Sequence, residues 1–167
     1  MRSKDVLADG FGRIEGLVRS VVEGADEALL TRRVGREANT VAWLVWHIAR
    51  VQDAQVAPLA GTEQVWTARG WAQRFGLPFD DEANGYGQSP DEAARVVASP
   101  ADLLGYLHDA TAATLAYVAT LSDEDLDEVV DEAWDPPVTR GVRLVSILAD
   151  VLEHAGQAAY VRGVLES

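Results

Sequence analysis

The stretch Asn39-Thr40-Val41-Ala42-Trp43-Leu44-Val45-Trp46-His47-Ile48-Ala49-Arg50-Val51-Gln52-Asp53-Ala54-Gln55-Val56-Ala57 decides what kind of chain this is. At about 100° per residue, Thr40, Trp43, Leu44, Val51 and Ala54 fall within about 60° of His47, with Trp46 and Ile48 on its two flanks. That spacing is helical. Asn39 or Thr40 is placed to cap the start, and the helix is expected to run to about Ala57, before Pro58. His47 therefore lies in the middle of an apolar stripe and points toward an interior.

Three more segments carry the same period. The first runs from Ser3 to Glu23, with Leu7, Phe11, Ile14, Leu17, Val18, Val21 and Val22 on one side. Another follows Ser99-Pro100, where proline suits a first helical turn, and carries Leu103, Leu107, Thr114, Leu115, Val118 and Leu121. The last begins between Thr139 and Val142, after the breaker Asp135-Pro136-Pro137, and nearly reaches the end. No run alternates as a strand does, and no internal repeat or low-complexity tract is present.

Between the second and third of these segments, residues 61–99 are irregular and hold Trp66, Trp71, Phe75, Phe79 and Tyr86, with turn-forming Gly-Leu-Pro at 76–78 and Gly-Tyr-Gly-Gln-Ser-Pro at 85–90. Connections of that length are usually functional or contain short helices of their own. The expected fold is all-α: a four-helix bundle with a long irregular crossover between its second and third helices, one domain over residues 1–167.

The chain has 14 basic and 27 acidic residues, a net charge of −13, which argues against nucleic-acid and anionic-membrane partners. Acidic runs such as Asp80-Asp81-Glu82 and Asp123-Glu124-Asp125 read as solvated surface. With no cysteine, disulfides, thiolate zinc sites and a nucleophilic cysteine are excluded, so a thiol taking part in chemistry here must arrive as a small molecule. No signal peptide and no run of about 20 apolar residues is visible, and a cytoplasmic protein is expected.

The last helix repeats the pattern seen at His47. Ile147, Val151, Ala158, Val161 and Leu165 surround His154, Asp150 lies one turn earlier about 40° away, and Gln157 lies one turn later on the same side. Ionisable groups are costly on a core-facing surface unless something pairs with them. Two readings stand: a hydrogen-bonded buried Asp–His pair with an unrelated core histidine, or a divalent metal held by His47, Asp150 and His154. Two imidazoles and a carboxylate suit Zn²⁺ or a similar ion and leave a fourth position open, where the pKa of a bound water or thiol can fall. His108 falls about 85° from the centre of its helix's apolar face and reads as a boundary residue.

Asn39-Thr40-x-x-Trp43-Leu44-x-Trp46-His47-x-x-Arg50-x-x-Asp53, followed by Asp150-x-x-x-His154-x-Gly156-Gln157-x-x-Tyr160-x-Arg162-Gly163, resembles the DinB-like superfamily over nearly the whole chain. Within it the chain is most similar to the branch of mycothiol-dependent maleylpyruvate isomerase and mycothiol S-transferases. The resemblance implies a divalent metal, often zinc, on His47, Asp150 and His154, and a low-molecular-weight thiol, mycothiol, activated as a metal-bound thiolate. This chain departs in carrying aspartate at 150, one methylene shorter than the glutamate usual in that branch. Arg50, Asp53 and Trp71, with Arg69 and Arg74, would contact the thiol or an electrophile, or else serve, each by itself, as surface charge or crossover packing. Gln157 would orient a ligand as a hydrogen-bond donor, and Gly156 and Gly163 would allow close helix approach.

Three functions compete: transfer of the thiol to an electrophilic small molecule, in the manner of detoxification; isomerisation of an unsaturated diacid with the thiol recycled; and a non-catalytic ligand-binding bundle with buried histidines. The isomerases of the branch carry an extra C-terminal domain, which favours the transferase. A homodimer is the expected oligomer if exposed apolar helix faces pair.

Overall fold

A computed structural model describes residues 1–167. The chain runs α1 (Ser3–Val22), α2 (Glu27–Thr31), α3 (Val41–Ala60), α4 (Val65–Ala68), α5 (Trp71–Phe75), α6 (Pro90–Ala93), α7 (Pro100–Thr120), α8 (Asp123–Asp127), β1 (Val129–Asp131), β2 (Val138–Thr139) and α9 (Arg140–Glu166). The long helices α1, α3, α7 and α9 are the four periodic segments, and they form the expected four-helix bundle. In it α1 and α3 each pack against both α7 and α9, so α1 and α3 stand diagonally opposite.

The helix starts follow local chemistry. Thr40, rather than Asn39, caps α3 by accepting from the Trp43 backbone N–H, Ser99 caps α7 and Thr139 caps α9. At the far end of α3 the helix continues through Pro58 to Ala60, beyond the expected stop. Proline in this last turn leaves only the Ala54 carbonyl without its helical donor, and Gly61, at φ 67°, turns the chain out. Around Pro136 the antiparallel pair β1–β2 forms a short ribbon, too brief for its alternation to register as a pattern.

Phe11, Ile14 and Val18 of α1 meet Leu44 and Ile48 of α3, Leu103 and Leu107 of α7, and Leu144, Ile147 and Val151 of α9 in one continuous core. Each such side chain contributes about 1.5–3 kcal/mol by leaving water. Gly10 allows close approach of α1 to α9, since a Cβ there would lie 2.6 Å from Leu148 Cδ2. Gly156 and Gly163 do not serve this purpose: both are exposed, and a Cβ on either would meet nothing within 4 Å. That face of α9 is turned away from its neighbours.

The crossover is what distinguishes this bundle. It contains the short helices α4, α5 and α6 and covers the outer side of α3, so every residue from Val41 to Asp53 is buried, not only one stripe. Trp66 packs its ring against Trp46 (6.4 Å between centroids), Phe75 (5.1 Å) and Tyr106 (4.9 Å), joining the crossover to α3 and α7. No helix is long and apolar enough to cross a membrane.

Candidate metal centre

His47 lies midway along α3, facing α9, with its side chain 7% exposed. Its ring stacks on that of Trp43, one turn earlier, at 4.6 Å and 10° between planes. Its Nδ1 lies 2.5 Å from the backbone oxygen of Asn84 in the crossover. A carbonyl can only accept, so Nδ1 carries the proton and Nε2 is left with its lone pair directed elsewhere.

On α9 the arrangement repeats with a local partner. His154 Nδ1 donates to Gln157 Oε1 at 2.9 Å, again leaving Nε2 free. Both free nitrogens address Asp150: His47 Nε2 is 3.8 Å from its Oδ2 and His154 Nε2 is 3.7 Å from its Oδ1. The two imidazoles stand edge-to-face, 4.7 Å apart at 76°. One donor atom from each of the three residues lies within 4.8 Å of the others.

These residues fit a divalent cation. Asp150 Oδ2 is buried and has no hydrogen-bond partner, a costly state for a carboxylate oxygen that a cation would relieve. Tetrahedral ligands at about 2.0–2.1 Å from zinc stand about 3.3 Å apart, whereas one donor atom from each residue lies within 4.8 Å of the others, so an ion would draw the three donors inward. Asp150 faces both histidines, with Oδ2 toward His47 and Oδ1 toward His154. Burial holds His47 below its ordinary pKa. The Asn84 hydrogen bond and the Asp150 charge pull the other way, and His154 adds to the lowering. The neutral imidazole that results is the ligating form.

Gln157 therefore touches the centre, but its amide oxygen accepts from His154 instead of donating. The other residues expected at the substrate are placed in the scaffold. Arg50 is fully buried: Nε donates to the Ala83 carbonyl at 2.9 Å, Nη2 to that of Asp81 at 3.0 Å, and Nη1 to Gln64 Oε1 at 2.8 Å and to the Tyr106 hydroxyl at 3.1 Å. Its guanidinium also sits over the Trp66 ring at 5.1 Å. Asp53 accepts from the backbone N–H groups of Val65 and Trp66 at 2.9 and 2.8 Å and from Tyr106 Oη at 2.9 Å.

Trp71 is fastened to α7, its indole N–H donating to Asp109 at 2.8 Å. Arg69 pairs with the same carboxylate at 2.7 Å and Arg74 pairs with Asp102, so this cluster cleats the crossover to α7. His108 is exposed and pairs with Glu15 at 2.8 Å, a boundary residue as expected.

Three residues at the centre went unread in the sequence: Asn84, Gly85 and the stacking role of Trp43. Asn84 acts through its backbone, which carries no side-chain signature. Gly85 was visible only as a turn former. Trp43 was visible only as one more apolar residue in the stripe.

Two cavities flank α3. The larger, about 670 Å³, lies toward α7 and is floored by small side chains including Ala57, Ala110 and Ala113. The smaller, about 440 Å³, is lined by Asn39, Leu44, Gly156, Gln157, Tyr160 and Val161, among others, and borders the centre through Gln157.

The fold and the cluster define a helical-bundle protein with a three-donor group on facing helices that could hold a metal ion. The mycothiol-S-transferase family model matches residues 13–167, and the chain belongs to that family. A solved structure described as the conserved protein of locus from Enterococcus faecalis has the same fold. Its TM-score is 0.93 and its identity 32%, over 99% of this chain and 98% of that one. No curated protein matches the chain.

Proposed function

We propose that the protein transfers mycothiol to an electrophilic small molecule in a reaction that depends on a divalent metal, zinc in the first instance, held by His47, Asp150 and His154. The observation that carries this reading is the unpartnered Asp150 Oδ2 facing two imidazoles whose Nδ1 protons are already committed elsewhere. Family membership supports the thiol, and the absence of cysteine makes an imported thiol the only one available.

A divalent cation bound there supplies a lowered thiol pKa, so that the sulfur reacts as thiolate at neutral pH. His47 and His154 present their Nε2 lone pairs, and Asp150 supplies the charge that offsets the cation's. Asp150 is 39% exposed at its side chain, which keeps the centre reachable from solvent. The cleft beside Gln157 offers a mostly uncharged surface for the electrophile, and the free Gln157 amide N–H groups suit an acceptor atom on it. In the transfer, the thiol's proton is lost to solvent, a bond forms between sulfur and the electrophilic carbon, and the leaving group departs with the bonding pair.

The test combines elemental analysis of purified protein with conjugation of mycothiol, compared with other thiols, to an electrophilic probe. About one divalent metal per chain and a preference for mycothiol are expected. Undiminished conjugation by a His154→Ala protein would remove the reading.

A further inference from the structure

Arg50, a fully buried cation three residues before the end of the continuously buried run Val41–Asp53 of α3, makes no hydrogen bond to the three candidate ligands, yet four hydrogen bonds hold it. Two of the four go to main-chain carbonyls of the crossover, at Asp81 and Ala83. The next residue is Asn84, whose carbonyl accepts the His47 Nδ1 proton. Gly85 follows at φ 99°, so close to the rings that a Cβ would lie 2.6 Å from His47 Nδ1 and 2.9 Å from Trp43 Cζ2. Gln88 then accepts from the Trp43 indole N–H at 2.8 Å. One short piece of crossover thus touches the edge of His47, the ring that stacks on it, and the buried cation one turn further along α3.

We propose that residues 81–88 are a positioning clamp for the metal centre, moored by Arg50, which sets the tautomer and ring plane of His47 and so the affinity of the site for its cation. The inference rests on the metal-centre reading above. Arg50 is a positioning residue that acts through the backbone of 81–84. Its planar fork is what allows one side chain to hold two carbonyls, Gln64 and Tyr106 together, which a lysine ammonium cannot do in the same geometry. Moving the His47 proton to Nε2 would turn a donor nitrogen toward Asp150 and set the Nδ1 lone pair against the Asn84 carbonyl. The clamp makes that alternative costly. Outer partners of a ligating histidine are worth about 10–100-fold in metal affinity.

The experiment reads two quantities that do not need activity. The His47 tautomer is followed by long-range proton–nitrogen NMR on metal-free protein, and the dissociation constant for zinc is obtained by competition with a chelator. Native protein is expected to show His47 protonated at Nδ1. Gly85→Ala and Arg50→Lys are each expected to mix the tautomers and weaken zinc about 10–100-fold, while helical circular dichroism is retained. If either fails to fold, Gln88→Ala, which only frees the Trp43 indole, takes its place and must shift the His47 signals and weaken zinc in the same direction. Folded variants with native zinc affinity and native His47 signals overturn the clamp. Native protein that binds no divalent metal ends the functional reading instead. The His47 tautomer in native and Gly85→Ala proteins still decides whether the crossover sets that ring.

Discussion

His154 and Gln157, three residues apart on one face of α9, are joined by an Nδ1–H···Oε1 hydrogen bond of 2.9 Å. The helix itself thus supplies the partner that orients one imidazole, while the other is oriented across 37 residues of chain. The bond is replaceable in a way the crossover is not. Gln157→Leu keeps shape and removes the acceptor, so zinc affinity is expected to fall about 10-fold or more with little change in unfolding midpoint. Competition titration alongside thermal melting checks both halves.

Metal binding is expected to stabilise the fold. At a free zinc concentration about 100 times the dissociation constant, native protein gains about 2.7 kcal/mol, which for a chain of this size raises the melting temperature by about 5–10 °C. Asp150→Ala and His47→Ala proteins are expected to show no such rise. A melting temperature indifferent to zinc and to chelator in native protein contradicts the prediction.

Asp53 holds two backbone N–H groups at the start of α4, faces the Arg50 guanidinium at 3.7 Å, and is itself buried. Asp53→Ala leaves the buried cation without its nearest countercharge and three donors without their acceptor, the two N–H groups and the Tyr106 hydroxyl. A loss of about 3–5 kcal/mol is expected from breaking such a pair, measured by denaturant unfolding. The Arg69–Asp109 pair at the exposed edge of the crossover should by contrast be worth under about 1 kcal/mol.

Tyr106 donates to Asp53 and accepts from Arg50 within the same network, and burial pushes its phenol well above the ordinary tyrosine value of 10.0, the Arg50 charge opposing. The folded pKa exceeds the unfolded one. The stabilising difference is therefore fully present below about pH 10 and is lost as pH rises above it, because the unfolded chain gives up the proton first. Ultraviolet titration of the four tyrosines should show one that ionises only with loss of helical signal. Tyr106→Phe should remove that step and cost about 1–3 kcal/mol. Four tyrosines titrating together in folded protein would rule this out.

The bundle was legible because its determinants are local. Apolar residues at helical spacing, caps at Thr40, Ser99 and Thr139, and Pro100 at a first turn all act within a few residues of themselves. The cluster was half legible for a related reason: Asp150, His154 and Gln157 share a helix face, so their proximity follows from spacing, and His47 announced itself as an ionisable group on an apolar stripe. The surroundings of Arg50 and Asp53 were not legible, because the same helical arithmetic says nothing of what covers the outer side of a helix. Their charge suggested access to a ligand, but the crossover takes up their polar atoms.

Residue spacing along each helix by itself determined four amphipathic segments and aimed two histidines and a carboxylate inward. Only the tertiary structure decided that α3 and α9 set those three groups within 4.8 Å of one another. It also decided that a stretch of crossover backbone would choose which nitrogen of His47 is free. Helical periodicity is a short-range property of covalent geometry. A carbonyl oxygen is the same in every residue, so its arrival beside a particular imidazole depends on how the whole chain packs.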